Sequence, residues 1–355
     1  MFATMKNLFG SARTIRKAPK AFLKLETLEE RRVMTAGISL GNDGVINIDG
    51  YDDAAHGECV QVRQVLNNIA NPHDDQVQVT MTSANGNITK TFAMWKNVMG
   101  QHLQIVKGVH YEGHAGADTF NNMSTLPSYA DGGAGNDVLM GSKAHDELHG
   151  GAGDDKLTGR QGDDILDGGA GTDTLIESGD VDFALRNTSL EGLGYDTLSS
   201  IEKADLTGGV HANKMDAEFF SGSVTMHGGG GDDIMFGGAG KNYLYGEAGN
   251  DLLMGQNDVD HLYGGDGDDI LVGNGGDDWL VGDKGSDTLW GGDGDDYLDG
   301  GYDRVVDHLH GGAGADTFQQ HVWHEASGWF IQTWKTYKDE VCDRTAEDEV
   351  NSVNN

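Results

Sequence analysis

The sequence predicts an all-β chain: a parallel β-solenoid of stacked eighteen-residue coils with an N-terminal β cap. Three observations predict it. Residues 228–299 divide into eight consecutive nine-residue blocks, from GGGGDDIMF to GGDGDDYLD, and five more run from 132 to 176. With 300–310 and 311–319 added, all fifteen blocks begin with Gly and carry a large apolar residue near the end, Leu in thirteen. Two places before that residue stands an Asp in every block but one, where Asn242 takes its place.

Each position has a physical task. Glycine reaches backbone angles closed to other residues, so the first half of a block turns tightly. The last three positions alternate out, in, out, which makes a very short strand with one inward side chain. Two blocks then close one flattened coil of turn, strand, turn, strand. A single coil cannot bury its apolar residue, but a stack can. An acidic, glycine-rich disordered segment has no need of an apolar residue at a fixed period.

Stacking also brings the aspartates of blocks i and i+2 close together, where like charges repel. The pattern therefore calls for a hard divalent ion between them. Ca²⁺ accepts six to eight carboxylate and carbonyl oxygens in flexible geometry, Mg²⁺ demands a tighter octahedron, and Zn²⁺ prefers Cys and His, for which the repeat pattern has no fixed position. Glycine carries a large ordering cost and the carboxylates repel, so the array is expected to be largely unfolded in chelator and to fold as calcium is added.

These blocks, G-G-x-G-x-D-x-U-x with U apolar, resemble the RTX, or haemolysin-type, calcium-binding repeat of secreted bacterial proteins. The resemblance implies a parallel β-roll with calcium in both columns of turns. Carried onto this chain, one column of the long array uses Asp233, Asp251, Asp269, Asp287 and Asp307, and the other Asp260, Asp278, Asp296 and Asp316 with Asn242 at its end. The short array offers Asp137, Asp155 and Asp173 on one side and Asp146 and Asp164 on the other. Pairing i with i+2 gives about eleven sites, and the one shared by Asn242 and Asp260 should be weak. Ala144 and Asp258 replace the fourth glycine of their blocks and put those turns in question, while the two extra residues near 303–306 should bulge one turn.

Taken in order, residues 1–36 hold eight bases and three acids, a net of +5 in a chain of net charge −34. They read as a basic leader or targeting segment. The stretch Leu28 to Ala36 (LEERRVMTA) resembles the LEPR-XLL leader of surface and secreted proteins of planctomycete-type bacteria, with Glu30 where that motif has proline. The resemblance implies processing near Ala36–Gly37. The alternative is a charged surface helix. Residues 37–112 read as an N-terminal β cap, with strands expected at Val45–Asp49, Cys59–Val65, Gln76–Met81, Ile88–Met94 and Leu103–Tyr111.

Residues 113–176 form the first array, since Gly113–Asn121 is a degenerate block whose Asp118 is placed to share an ion with Asp137. Residues 177–227 are expected to be a calcium-free spacer that continues the stack, because Leu198, Ile201, Leu206, Met215, Phe219 and Phe220 need burial. The second array covers 228–319. Residues 320–355 read as a C-terminal cap with Trp323, Trp329, Phe330, Trp334 and Tyr337 over the last coil, then an acidic tail. A C-terminal export signal, common in similar proteins, is the alternative.

The charge, from 58 acids against 24 bases, argues against nucleic acid as a partner. No apolar run is long enough to span a membrane. Cys59 and Cys342 read as two solitary thiols, bridged only if the chain ends meet. No zinc-protease, nucleophile-elbow or phosphate-loop motif is present. His110 and His114 are four residues apart, but Gly113 lies between them in strand-like sequence, so metal ligation by them is not expected. The expected function is therefore calcium binding without enzymatic activity, in an extracellular or cell-surface protein with a structural, adhesive or matrix role. A surface partner or self-association would follow. A haemolysin-like accessory chain, or a small hydrolase within 37–112, are the competing readings.

Overall fold

The computed structural model describes residues 37–50, 57–65, 76–83, 86–98, 101–104, 106–327, 333–338, 340–341 and 349–354, with the backbone alone beyond Gln319. Among them every regular element is a strand. Two sixteen-stranded sheets face each other, and the chain alternates between them for about twelve turns of roughly eighteen residues. The architecture is the expected parallel β-solenoid, in β-roll form.

The apolar position of each block closes the gap between the sheets. In one sheet Leu244, Leu262, Leu280 and Leu298 pair in register and lead to Phe318. In the other, Met235, Leu253, Leu271, Leu289 and Leu309 do the same. All are fully buried, each stabilising the stack by about 1.5–3 kcal/mol relative to exposure. Flanking side chains point outward. Tyr243, His261, Trp279 and Tyr297 stack ring on ring, with centroids 3.8–6.5 Å apart. Such cross-strand aromatic pairs add to sheet stability.

Glycine at the fourth position is required by close approach. Gly267 has φ 147°, and a Cβ there would overlap the carbonyl oxygen of Gly249 in the coil below. The second position is also left-handed but tolerates other residues: Arg160, Glu247, Asn274 and Asp283 sit at φ 72–76°.

At the N-terminal end the strand expected at Leu103–Tyr111 is two strands. Gln101–Gln104 pairs with Trp95–Val98 in a separate hairpin, while Gly108–Glu112 joins the first coil. Pro127 explains part of the coil start: its carbonyl accepts the Val109 N–H at 3.0 Å. Gly37–Leu40 lies antiparallel on Val45–Asp49, and Gln76–Ser83 with Gly86–Ala93 extends the other sheet antiparallel from Cys59–Val65. These antiparallel additions occupy the open edges of both sheets.

Between the arrays the stack is continuous but not regular. One sheet runs on in parallel through Thr174–Ser178, Lys203–Thr207 and Ser223–Gly230. The other takes an antiparallel meander of Phe183–Arg186, Ser189–Glu191 and Tyr195–Ser199 before parallel pairing resumes with Lys214–Phe219. Leu198, Leu206, Met215 and Phe220 are buried as expected, but Phe219 is 64% exposed. Phe219 lies at the end of its strand, with the Arg186 guanidinium 5.1 Å from its ring centre.

The two extra residues of block 300–310 bulge outward. Tyr302 and Val305 are exposed, and His308 still pairs with Thr288. After the last coil, Thr333–Lys338 lies antiparallel and Glu349–Asn354 parallel to Thr317–Ser327. The expected aromatic cap falls outside the described residues at Trp329 and Phe330 and outside the described side chains at Trp323, Trp334 and Tyr337. The leader 1–36 also lies outside the described residues, as does Cys342; Cys59 is a free thiol.

Candidate metal centre

The block aspartates line two columns of turns, one on each side of the stack. Each one reaches one coil down through Oδ1, which accepts the backbone N–H of the aspartate below. In one column the N–H of Asp118, Asp137 and Asp155 donates to Asp137, Asp155 and Asp173 at 2.7–2.8 Å. The same rungs link Asp233 to Asp251, Asp269, Asp287 and Asp307 at 2.7–2.9 Å. In the other column they link Asp260 to Asp278, Asp296 and Asp316 at 2.8–3.0 Å, and Asp146 to Asp164 at 2.7 Å. The columns are those the repeat spacing predicts.

The second oxygen of most of these carboxylates has no such donor. Oδ2 of Asp118, Asp137, Asp155, Asp164, Asp173, Asp233, Asp251, Asp260, Asp269, Asp278, Asp287 and Asp296 is buried without a hydrogen-bond partner. A buried, unpaired acceptor costs about 1–3 kcal/mol, and more if charged. The surroundings supply further oxygen rather than a donor. A Cβ placed on Gly264 would press on Asp269 Oδ2 and stand 2.8 Å from the Gly282 carbonyl oxygen; one on Gly282 would meet Asp287 Oδ2 and the Gly300 oxygen at 2.6 Å. First-position glycine therefore keeps open a cradle in which a carboxylate and a carbonyl face one point.

Burial makes the charge on these groups unfavourable while no cation is present. It pushes the carboxyl of Asp164 up to about 8 and those of Asp137, Asp260, Asp269, Asp278, Asp287 and Asp296 to about 7. Asp155 and Asp233 rise to about 6, and Asp118, Asp146, Asp173 and Asp251 are raised too. Backbone donors oppose the shift, and in most of these groups neighbouring carboxylates add to it. An all-oxygen set of carboxylates and carbonyls fits Ca²⁺.

Two turns depart from the rule, each for a visible reason. Asp146 has both oxygens satisfied: Ser128 donates from N at 2.5 Å and Oγ at 2.6 Å to Oδ1, and Ser142 from N and Oγ to Oδ2. Beside it the Arg160 guanidinium sits on the carbonyls of Gly141 and Asn122. Asn242 uses its amide as an internal donor to the Gly238 and Gly255 carbonyls and to Asp260 Oδ1, at 2.9–3.0 Å. The Asp258 turn still closes, with the Asp260 rung intact.

Several rungs escaped the repeat count. Asp196 is buried above Asp164, whose N–H donates to its Oδ1 at 3.0 Å. Glu202 accepts from Asp173, Asn213 donates to Asp233, and Glu58 donates to Asp118. The signal was present: GYDTLS at 194–199 is the second half of a block, and GGVHANKMD at 208–216 keeps the first two glycines and the apolar place. The stretch 177–227, expected to hold calcium-free coils that continue the stack, thus adds the carboxylates of Asp196 and Glu202 to the columns. A second, outer ladder also went unread. Asp232, Asn250 and Asp268, the residues just before the rung positions, accept the N–H of the same position one coil on.

Fold and donor set together define a calcium-binding β-roll. Residues 129–175, 221–301 and 306–319 match the family model described as RTX calcium-binding nonapeptide repeat. The chain therefore carries RTX calcium-binding nonapeptide repeats, which bind multiple Ca²⁺ ions. No curated protein matches it in sequence.

Proposed function

We propose that this chain is an extracellular or cell-surface scaffold whose coils order as calcium fills them, and that it carries no enzymatic activity of its own. The ligands are Asp118, Asp137, Asp155, Asp164, Asp173, Asp233, Asp251, Asp260, Asp269, Asp278, Asp287, Asp296, Asp307 and Asp316, with Asp146 a weak member. The observation that carries this reading is the row of buried Oδ2 atoms that lack a donor, most of them beside a carbonyl oxygen of the neighbouring coil. Filled sites would offset most of the formal charge of −34, and the expected affinity suits a setting rich in calcium. The division into leader 1–36, cap 37–112, arrays 113–176 and 228–319, intervening coils 177–227 and terminal segment 320–355 belongs to the same reading. A structural or adhesive role follows from a rigid rod with outward side-chain ladders and a partner at the surface. The test is calcium titration read by native mass spectrometry and far-ultraviolet circular dichroism. About eleven ions bound with a coil-to-β transition is expected; an unchanged spectrum in chelator, or no bound ions, rejects it.

A further inference from the structure

Apart from the calcium-column aspartates, one group of side chains converges at the rim of the first coil. Asp49 and Glu112 end the neighbouring parallel strands Val45–Asp49 and Gly108–Glu112 and stand opposite each other in register. Like charges in that position repel. His114 follows two residues after Glu112 and places Nε2 2.7 Å from Asp49 Oδ1. One ligand atom from each of the three lies within 4.8 Å of the others, and no other such group of three is found among the described residues.

The backbone puts the imidazole there against a local preference. His114 occupies the second block position at φ 72°, where the coils above have Gly133, Gly151 and Gly169. An L-residue is disfavoured there relative to glycine. A side chain at this position reaches the end of the strand one coil below, as Glu247 reaches His227 Nδ1 at 3.0 Å. At Glu247 the contact is a simple pair. At His114 two carboxylates converge on it.

We infer that Asp49, Glu112 and His114 bind a divalent transition ion of the Zn²⁺ class, through ligand atoms other than those of the calcium columns. A mixed set of one imidazole nitrogen and two carboxylate oxygens suits Zn²⁺, whereas Ca²⁺ selects oxygen alone. The ion replaces the proton shared by His114 and Asp49, which passes to solvent. The side chains of His114 and Asp49 are 28% and 45% exposed, so water completes the coordination shell and the ion exchanges freely.

The experiment uses the full chain in excess calcium, titrated with Zn²⁺ by calorimetry and with Co²⁺ by visible absorption. One saturable equivalent beyond the calcium complement is expected. His114→Gly removes the ligand while suiting the backbone angle, and Glu112→Gln keeps the shape and loses the charge. Each should weaken Zn²⁺ by at least about tenfold, since even outer-shell changes cost that much, and leave calcium stoichiometry unchanged. No saturable equivalent in the native chain, or Zn²⁺ binding equal to native in both variants, overturns the assignment.

Discussion

Asp269→Asn separates an ion-bearing rung from an ordinary packing contact. Asp269 Oδ1 accepts the Asp251 N–H at 2.7 Å, and its own N–H donates to Asp287 at 2.8 Å. Oδ2 is buried without a donor, beside the space facing the Gly282 carbonyl. Asparagine keeps the acceptor and turns the orphan into an N–H₂ that can donate to that carbonyl. Asn242 already does so, to Gly255, at 3.0 Å. In chelator at neutral pH the substitution therefore removes an unfavourable buried carboxylate and should leave a larger residual β signal. In calcium it weakens the two sites shared with Asp251 and Asp287. An ion at a hundred times its Kd stabilises by about 2.7 kcal/mol, so two lost ions remove about 5 kcal/mol. The assay is circular dichroism, as thermal melting in calcium and as residual β signal in chelator, with native mass spectrometry of the bound ions. Two fewer ions, a lower melting temperature with calcium and a larger residual β signal in chelator are expected. Equal destabilisation under both conditions, or an unchanged ion count, would refute the reasoning.

The reverse change, Asn242→Asp, should add about one ion and lower stability in chelator, read by the same pair of measurements. Acid should act oppositely with and without calcium. Asp269, Asp278, Asp287 and Asp296 rise from 3.8 to about 7 in the ion-free coil. The folded state then binds more protons than the unfolded across that interval, so stability in chelator is greatest below about pH 4 and falls as pH rises to about 7. Calcium must displace those protons, so its affinity falls as pH drops below about 7, and calorimetry in buffers of different ionisation enthalpy should detect proton release. Leu271→Ala, at a fully buried spine position, should cost about 2–5 kcal/mol in calcium without changing the number of ions bound. Asp283→Gly, at φ 73° beside Asp266 and Asp299, should stabilise the calcium-loaded protein by about 1 kcal/mol, seen as a higher melting temperature.

The period of nine carried most of the fold into view, because each coil repeats one local solution and touches only its neighbours. Wherever that solution is intact, from Gly246 to Asp296, the observed rungs and spine coincide with those expected. It was less informative where the chain leaves the period. The meander of 183–199 keeps Asp196 in the column but reaches it from a different direction, and Leu103–Tyr111 divides because half of it serves a hairpin and half the first coil. Asp146 looked like any other rung; only the placement of Ser128, from the coil below, and Ser142 shows that its oxygens have donors already.

By itself the sequence determined the solenoid, the inward apolar spine, the two acidic columns and the preference for a hard oxygen-seeking ion, since all of these follow from residues at fixed short spacing. Tertiary structure alone decided which carboxylate oxygens lack a donor, which turns supply their own cation or amide, and that Asp49, Glu112 and His114 meet. Those outcomes depend on atoms brought together by stacking from positions as far apart as 49 and 114, and no local pattern encodes a distance across coils.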